Sequence, residues 1–165
     1  MGEKLTQADI KKLEEEIEYR RVELRPQLTK AVAEAAAQGD RSENFEYYAA
    51  KRANSQNNSR INYLEKMIRF AEIIEDDAEL DEVGLNKLVE INFIDDNETA
   101  TYKVTTPIRG QSLEGRISIE SPLGKALLGH KSGDVVTVEV NDKVSYDVKI
   151  ISVTPDDADD DIRGF

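Results

Sequence analysis

From Thr6 to about Ile74 the apolar positions recur at helical spacing. Ile10, Leu13, Ile17 and Leu24 are three, four and seven residues apart, which puts them on one face of a helix. Past Leu24 the stripe continues as Leu28, Ala31 and Ala35, one step out of phase. Pro26 lies at that shift. A proline inside a helix removes one hydrogen bond and crowds the preceding turn, so a bend is predicted there. Thr6 followed by Asp9 resembles a capping box, with Asp in place of the usual Glu or Gln. A second helix is predicted from near Ser42. Its positions Tyr47, Ala50, Asn54, Asn57, Ile61, Leu64, Ile68 and Ala71 alternate by three and four, a heptad seam with two polar steps in the middle. The connection is too short for anything but an antiparallel hairpin. Arms of roughly 30 residues make it on the order of 45 Å long. The Ala-rich stretch near the turn lets the backbones approach, and the turn becomes a projecting tip.

After the acidic stretch Glu75–Gly84 the period changes from helical to alternating. Strands are predicted over Leu88–Ile94, Thr101–Thr106, Gly115–Ser121, Val135–Val140 and Val144–Val153. One short helix interrupts them, with Ser121 as its cap, Pro122 at its first position and Gly129 as its stop. The predicted core of this half is Val89, Ile91, Ile117, Ile119, Leu127, Val136, Val138, Val148 and Ile150. The fold class is α+β. The domains are a helical hairpin over 1–76, a linker over 77–84, a sheet domain over 85–154 and an acidic, disordered tail over 155–165.

Composition narrows the chemistry. Cysteine is absent, which excludes disulfides and thiolate metal sites. No apolar run is long enough to span a membrane and no secretory signal is visible, so a cytoplasmic protein is expected. The net charge of −12 is uneven: residues 1–76 carry 13 Lys and Arg against 15 Asp and Glu, and residues 77–165 carry 9 against 19. Binding to bare duplex DNA needs a cationic face and is not expected.

The tip holds the most suggestive residues, Asp40 and Glu43 in "GDRSEN". Asp-x-x-Glu at a helix start is itself a capping box, and both acids suit the positive end of a helix dipole. The same pair can share a divalent cation. Magnesium wants six oxygen ligands, so two carboxylates would only complete a site supplied by another macromolecule. Both readings stand on spacing alone. The lone His130 and Ser42 have no partners in sequence for acid–base or nucleophilic work.

Two longer stretches carry a resemblance. "GDRSENFEYYAAKRANSQNNSRINYLEKMI" and "GRISIESPLGKALLGHKSGDVVTVEV" are similar to the two signatures of the bacterial Gre transcript cleavage factors. Arg25 before Pro26 matches as well, and "GDRSEN" resembles the GreB branch. The acidic tail runs past the family pattern. The resemblance implies an N-terminal antiparallel coiled coil and a C-terminal FKBP-like sheet domain. It implies a monomer that docks at the rim of the RNA polymerase secondary channel and stimulates cleavage of backtracked RNA 3′ ends. On this family pattern Asp40 and Glu43 share a magnesium ion with the polymerase active site, and the isolated protein holds none. Lys51 and Arg52 face the nascent RNA, and Ser121, Pro122 and Leu123 dock on polymerase. The protein would not be an enzyme itself. The alternatives are a Gre-like inhibitor that plugs the channel and a coiled-coil adaptor without chemistry. A prolyl isomerase would rest on fold analogy alone.

Overall fold

The computed structural model describes residues 2–39, 44–111, 114–156, 158, 160–162 and 164. The chain divides into two units, Met1–Ile73 and Ile74–Phe165.

The first unit is a helical hairpin. Its first arm comprises α1 (Gln7–Glu18), a π-helical stretch (Tyr19–Leu24) and α2 (Arg25–Ala36); its second arm is α3 (Phe45–Arg69). The predicted capping box starts the first arm. Thr6 Oγ1 accepts from the Asp9 amide at 3.1 Å, and the Thr6 amide donates to Asp9 Oδ2 at 3.0 Å. A short parallel pair, β1 (Lys4–Leu5) with β2 (Glu72–Ile73), ties the beginning of the unit to its end.

The irregularity expected at Pro26 takes the form of the π-helical stretch just before it. The Arg25 amide donates to the Arg20 carbonyl, five residues back rather than four. Pro26 has no amide to donate, so it fits in the first turn of α2, where the wider π turn hands over to α-helix. A π turn accommodates one extra residue, which accounts for the one-step shift of the apolar stripe between Leu24 and Leu28.

The apolar contact is concentrated at the end of the hairpin away from the turn. Leu5, Leu13, Ile17, Ile61, Leu64 and Met67 are buried there. Beyond Ile17 the interface becomes polar. The Glu16 carboxylate accepts from Arg60 Nε and from Arg20 Nε, both at 2.8 Å. Arg20 Nη1 donates to Asn57 Oδ1, and Asn57 Nδ2 donates back to the Arg20 carbonyl, each at 3.1 Å. Arg25 Nε donates to Asn58 Oδ1 at 3.1 Å, and Arg21 pairs with Glu65. Near the turn only Ala35 is buried on the first arm. The seam read from sequence is therefore right at Asn57, Ile61 and Leu64. It missed Arg60 and Met67, which are buried, and overstated Ile68, which is only partly so.

The second unit is a five-stranded sheet in the order β5-β4-β3-β7-β6. Its strands are β3 (Lys87–Phe93), β4 (Glu98–Thr105), β5 (Arg116–Ser118), β6 (Val135–Glu139) and β7 (Ser145–Pro155). All pairs are antiparallel except β4 with β5. A register shift at Glu90/Ile91 marks a bulge between β3 and β7, the kind of irregularity that bends a sheet. One helix, α4 (Pro122–Leu127), contributes Leu127 to the core. All nine predicted core residues are buried in one cluster, joined by Val83, Leu85 and Val104.

Two expectations change here. Residues 77–84, expected as a linker, are built into the sheet unit. Val83 is fully buried, its amide donates to the His130 carbonyl at 2.8 Å, and Lys87 Nζ donates to the Glu79 and Glu82 carbonyls at 2.6 and 2.9 Å. The stretch looked like a spacer because its acids face outward around one buried valine. The tail was expected to be disordered, yet Pro155 ends β7, and Asp156, Ala158 and Asp160 contact basic side chains of β4 and β5.

The shared carboxylate gives a pH test. Burial would raise the Glu16 carboxyl, but hydrogen bonds and charge from Arg60 and Arg20 outweigh it and hold it below its ordinary value. Its stabilising contribution is present above the carboxyl's unfolded value and is lost as pH falls through the lower folded one. Glu16→Gln should lower the melting temperature at neutral pH and flatten the acid-side loss of stability, read by circular dichroism from neutral pH down to acid.

Candidate functional site

Three places carry the residues singled out from sequence: the hairpin turn, the exposed face of α3 and the segment entering α4.

The turn joins Ala36 at the end of α2 to Asn44 before α3. Asp40 and Glu43 lie outside the described residues. What is described on either side changes the reading of them. The N-cap of α3 is Asn44, close to the start predicted near Ser42. Its Oδ1 accepts from the Tyr47 amide at 3.0 Å, and its Nδ2 donates to the Ala35 carbonyl at 2.6 Å. One amide side chain thus caps the second arm and holds the end of the first. Asn44, not Asp40, holds the capping position of α3. Sequence reasoning passed over Asn44, although Asn is among the strongest N-cap residues. Beyond the cap, Phe45 is 87% exposed and Tyr48 45%, unusually apolar for an open helix start.

Lys51 and Arg52 are both exposed on the second turn of α3. They lie on the side of Asn57 nearer the hairpin turn, apart from the Glu16–Arg20–Arg60 network.

In the third segment the trio divides. Ser121 is committed to local structure: its hydroxyl donates to the Ser118 carbonyl at 2.7 Å and accepts from the Gly124 amide at 3.0 Å. Pro122 is exposed at the first helical position. Leu123 is partly buried and packs on the sheet core. Gly124 is required by close approach, because a Cβ there would run into the Ser118 carbonyl oxygen. Pro122 and Leu128, 42% exposed, form the accessible apolar part of this segment. Ser121 therefore acts by shaping the helix start rather than by offering its hydroxyl outward.

His130 is exposed and stands 3.4 Å from Asp134. The Lys131 amide, together with His130, holds that carboxyl below its usual range. Nothing else converges on the pair, so it has the form of a turn stabiliser. Among the described residues no group of three or more potential metal ligands comes together, and no helix is long and apolar enough to cross a membrane.

Residues 3–73 match the family described as "Transcription elongation factor, N-terminal", and residues 77–155 match "Transcription elongation factor, GreA/GreB, C-term". The chain belongs to the GreA/GreB family of transcription elongation factors. It is 41% identical over 150 residues to transcription elongation factor GreA of Streptococcus gordonii, covering 90% of this chain and 93% of that protein. It is 37% identical to GreA of Lachnoclostridium phytofermentans over the same share of each. Among solved structures, GreA factor homolog 1 (Gfh1) of Thermus thermophilus is 29% identical, with a TM-score of 0.43 over 93% of this chain and 99% of that one. The two family matches fall on the two structural units, one on the hairpin and one on the sheet.

The double role of Asn44 is directly testable. Asn44→Ala should cost the helical unit about 1 kcal/mol, the usual loss on removing an N-cap, read as a lower denaturation midpoint. Asn44→Asp keeps the cap to Tyr47 and loses the donor to Ala35, so its midpoint should fall between the two.

Proposed function

We propose that the protein binds RNA polymerase at the rim of its secondary channel and stimulates the polymerase's own cleavage of backtracked RNA 3′ ends. The observation that carries this reading is the family match over both units, combined with two acids in the short connection between α2 and α3. In this account the sheet unit docks through the segment around Pro122 and Leu123. The helical unit enters the channel with its turn foremost.

Asp40 and Glu43 supply oxygen ligands to a magnesium ion that polymerase otherwise holds weakly. Their chemistry fits a share in such a site: carboxylate oxygens are the ligands magnesium takes, and two of them leave most of the shell to polymerase, RNA and water. When bound, the ion stabilises charge on the attacking and leaving oxygens of a phosphodiester. The protein's own part is to carry two ionised carboxylates to one spot and hold them there. Asn44 supports that part, because with the helix cap filled neither acid is needed for it. One of the two also orients the attacking water. Lys51 and Arg52 attract the phosphates of the extruded RNA strand. In this reading the chain acts as a cofactor of polymerase rather than as an enzyme.

Asp40→Asn combined with Glu43→Gln should abolish stimulated cleavage in stalled complexes while leaving polymerase binding intact. Cleavage by the double variant at the unmodified rate would remove the metal role. Lys51→Glu should slow cleavage of long extruded RNA more than short; equal slowing of both would remove the RNA contact.

A further inference from the structure

The tail past Pro155 lies outside the family match, and its contacts are specific. Lys103 of β4 and Arg116 of β5 are register partners in a parallel pair, so their side chains share one face of the sheet. Lys103 is 3% exposed, Arg109 7% and Arg116 8%. Buried cations side by side are costly unless an anion joins them. Asp160 is that anion. It stands 2.5 Å from Lys103 Nζ and 3.3 Å from Arg116 Nη1. Asp156 adds a second carboxylate 3.4 Å from Lys103. Glu114, exposed, also pairs with Arg116 Nη1 at 2.8 Å.

Main-chain recognition accompanies the charges. Lys103 Nζ donates to the Ala158 carbonyl at 2.9 Å, and Arg109 Nη1 donates to the Asp160 carbonyl at 3.3 Å. The Asp156 amide donates to the Asn86 carbonyl at 3.1 Å. The site itself is braced, since Arg116 Nε donates to the Arg109 carbonyl at 2.8 Å. Among the described residues, buried Arg116 Nη2 has no hydrogen-bond partner.

We infer that Lys103, Arg109 and Arg116 form a binding groove for an acidic peptide segment, and that the chain's own Asp156, Ala158 and Asp160 are its resident, displaceable occupant. A peptide fits better than a phosphate because the groove is satisfied by carbonyls and carboxylates together, and only a polypeptide brings both. The tether keeps the groove filled, because an attached ligand competes at a high effective concentration. An external acidic segment gains access only when the tail lets go. This inference does not depend on the polymerase reading.

The test uses the full chain. A fluorescent peptide of residues 154–165 is titrated into the wild type and into the Asp156→Asn/Asp160→Asn variant. The variant should bind it at least about tenfold more tightly, because its own tail no longer competes. Equal binding to both, or binding to neither by a folded variant, overturns the groove. A uridine oligonucleotide that binds the variant as tightly as the peptide overturns the peptide assignment. Should the variant fail to fold, a fluorophore on the wild-type background at Gly164→Cys reports the tail directly. Excess unlabelled peptide should lower its anisotropy, whereas the same peptide with Asn for Asp should not. Equal response to both peptides, or to neither, overturns the proposal.

Discussion

The helical unit depends on one carboxylate between two guanidinium groups. Glu16 joins Arg20 of its own arm to Arg60 of the other, at the level where the apolar seam gives out. Leucine and isoleucine contacts tolerate sliding by a turn, because one apolar side chain replaces another. A buried arginine does not, because a shifted Arg60 would lose the Glu16 carboxylate and remain out of water. The Arg20–Asn57 and Arg25–Asn58 pairs repeat the constraint farther along. These contacts set the register of the two arms, and the register decides which residues form the turn. The ion network around buried Arg60 thus serves alignment more than stability, which is the better-attested use of polar groups in a helical seam.

The sheet unit solves a different problem. Its core is one apolar cluster, closed on one edge by α4 and by the buried Val83. The segment of α4 used for docking in the proposed function is shaped by Ser121 and Gly124, which between them fix a tight helix start. On the other face of the sheet, basic side chains from β4 and β5 are neutralised by the chain's own end. Both units therefore bury cations and cover them from within the chain, one in the seam and one beneath the tail.

Much of this was legible in the sequence, and the failures have physical causes. Alternation in the strands and the Ser–Pro helix start were strong local signals, and all nine predicted core residues are buried. The phase shift at Leu24 was visible too, although a shift does not say whether the helix kinks or widens; here it widens into a π turn. Arg60 was missed as a seam residue because a pattern of apolar positions cannot see a buried charge whose partner, Glu16, is 44 residues away. Val83 and the tail were misread for the converse reason. Their neighbours are acidic, and acidity suggests solvent until the opposing Lys87, Lys103 and Arg116 are known. At the turn, the spacing of Asp40 and Glu43 suggested a cap, but the cap went to Asn44 because its amide can accept from one arm and donate to the other. Spacing alone left the two acids open between a cap and a shared cation, and only the family resemblance favours the second.

The central claim is that this chain lends carboxylates to another protein's metal ion, and it predicts a gain of reaction, not merely of binding. The direct measurement is to add the purified protein to a backtracked polymerase elongation complex with magnesium and follow 3′-end-labelled RNA. Release of short 3′ fragments followed by resumed synthesis is the predicted result. A protein that binds the complex, releases no fragment and leaves synthesis blocked would contradict it.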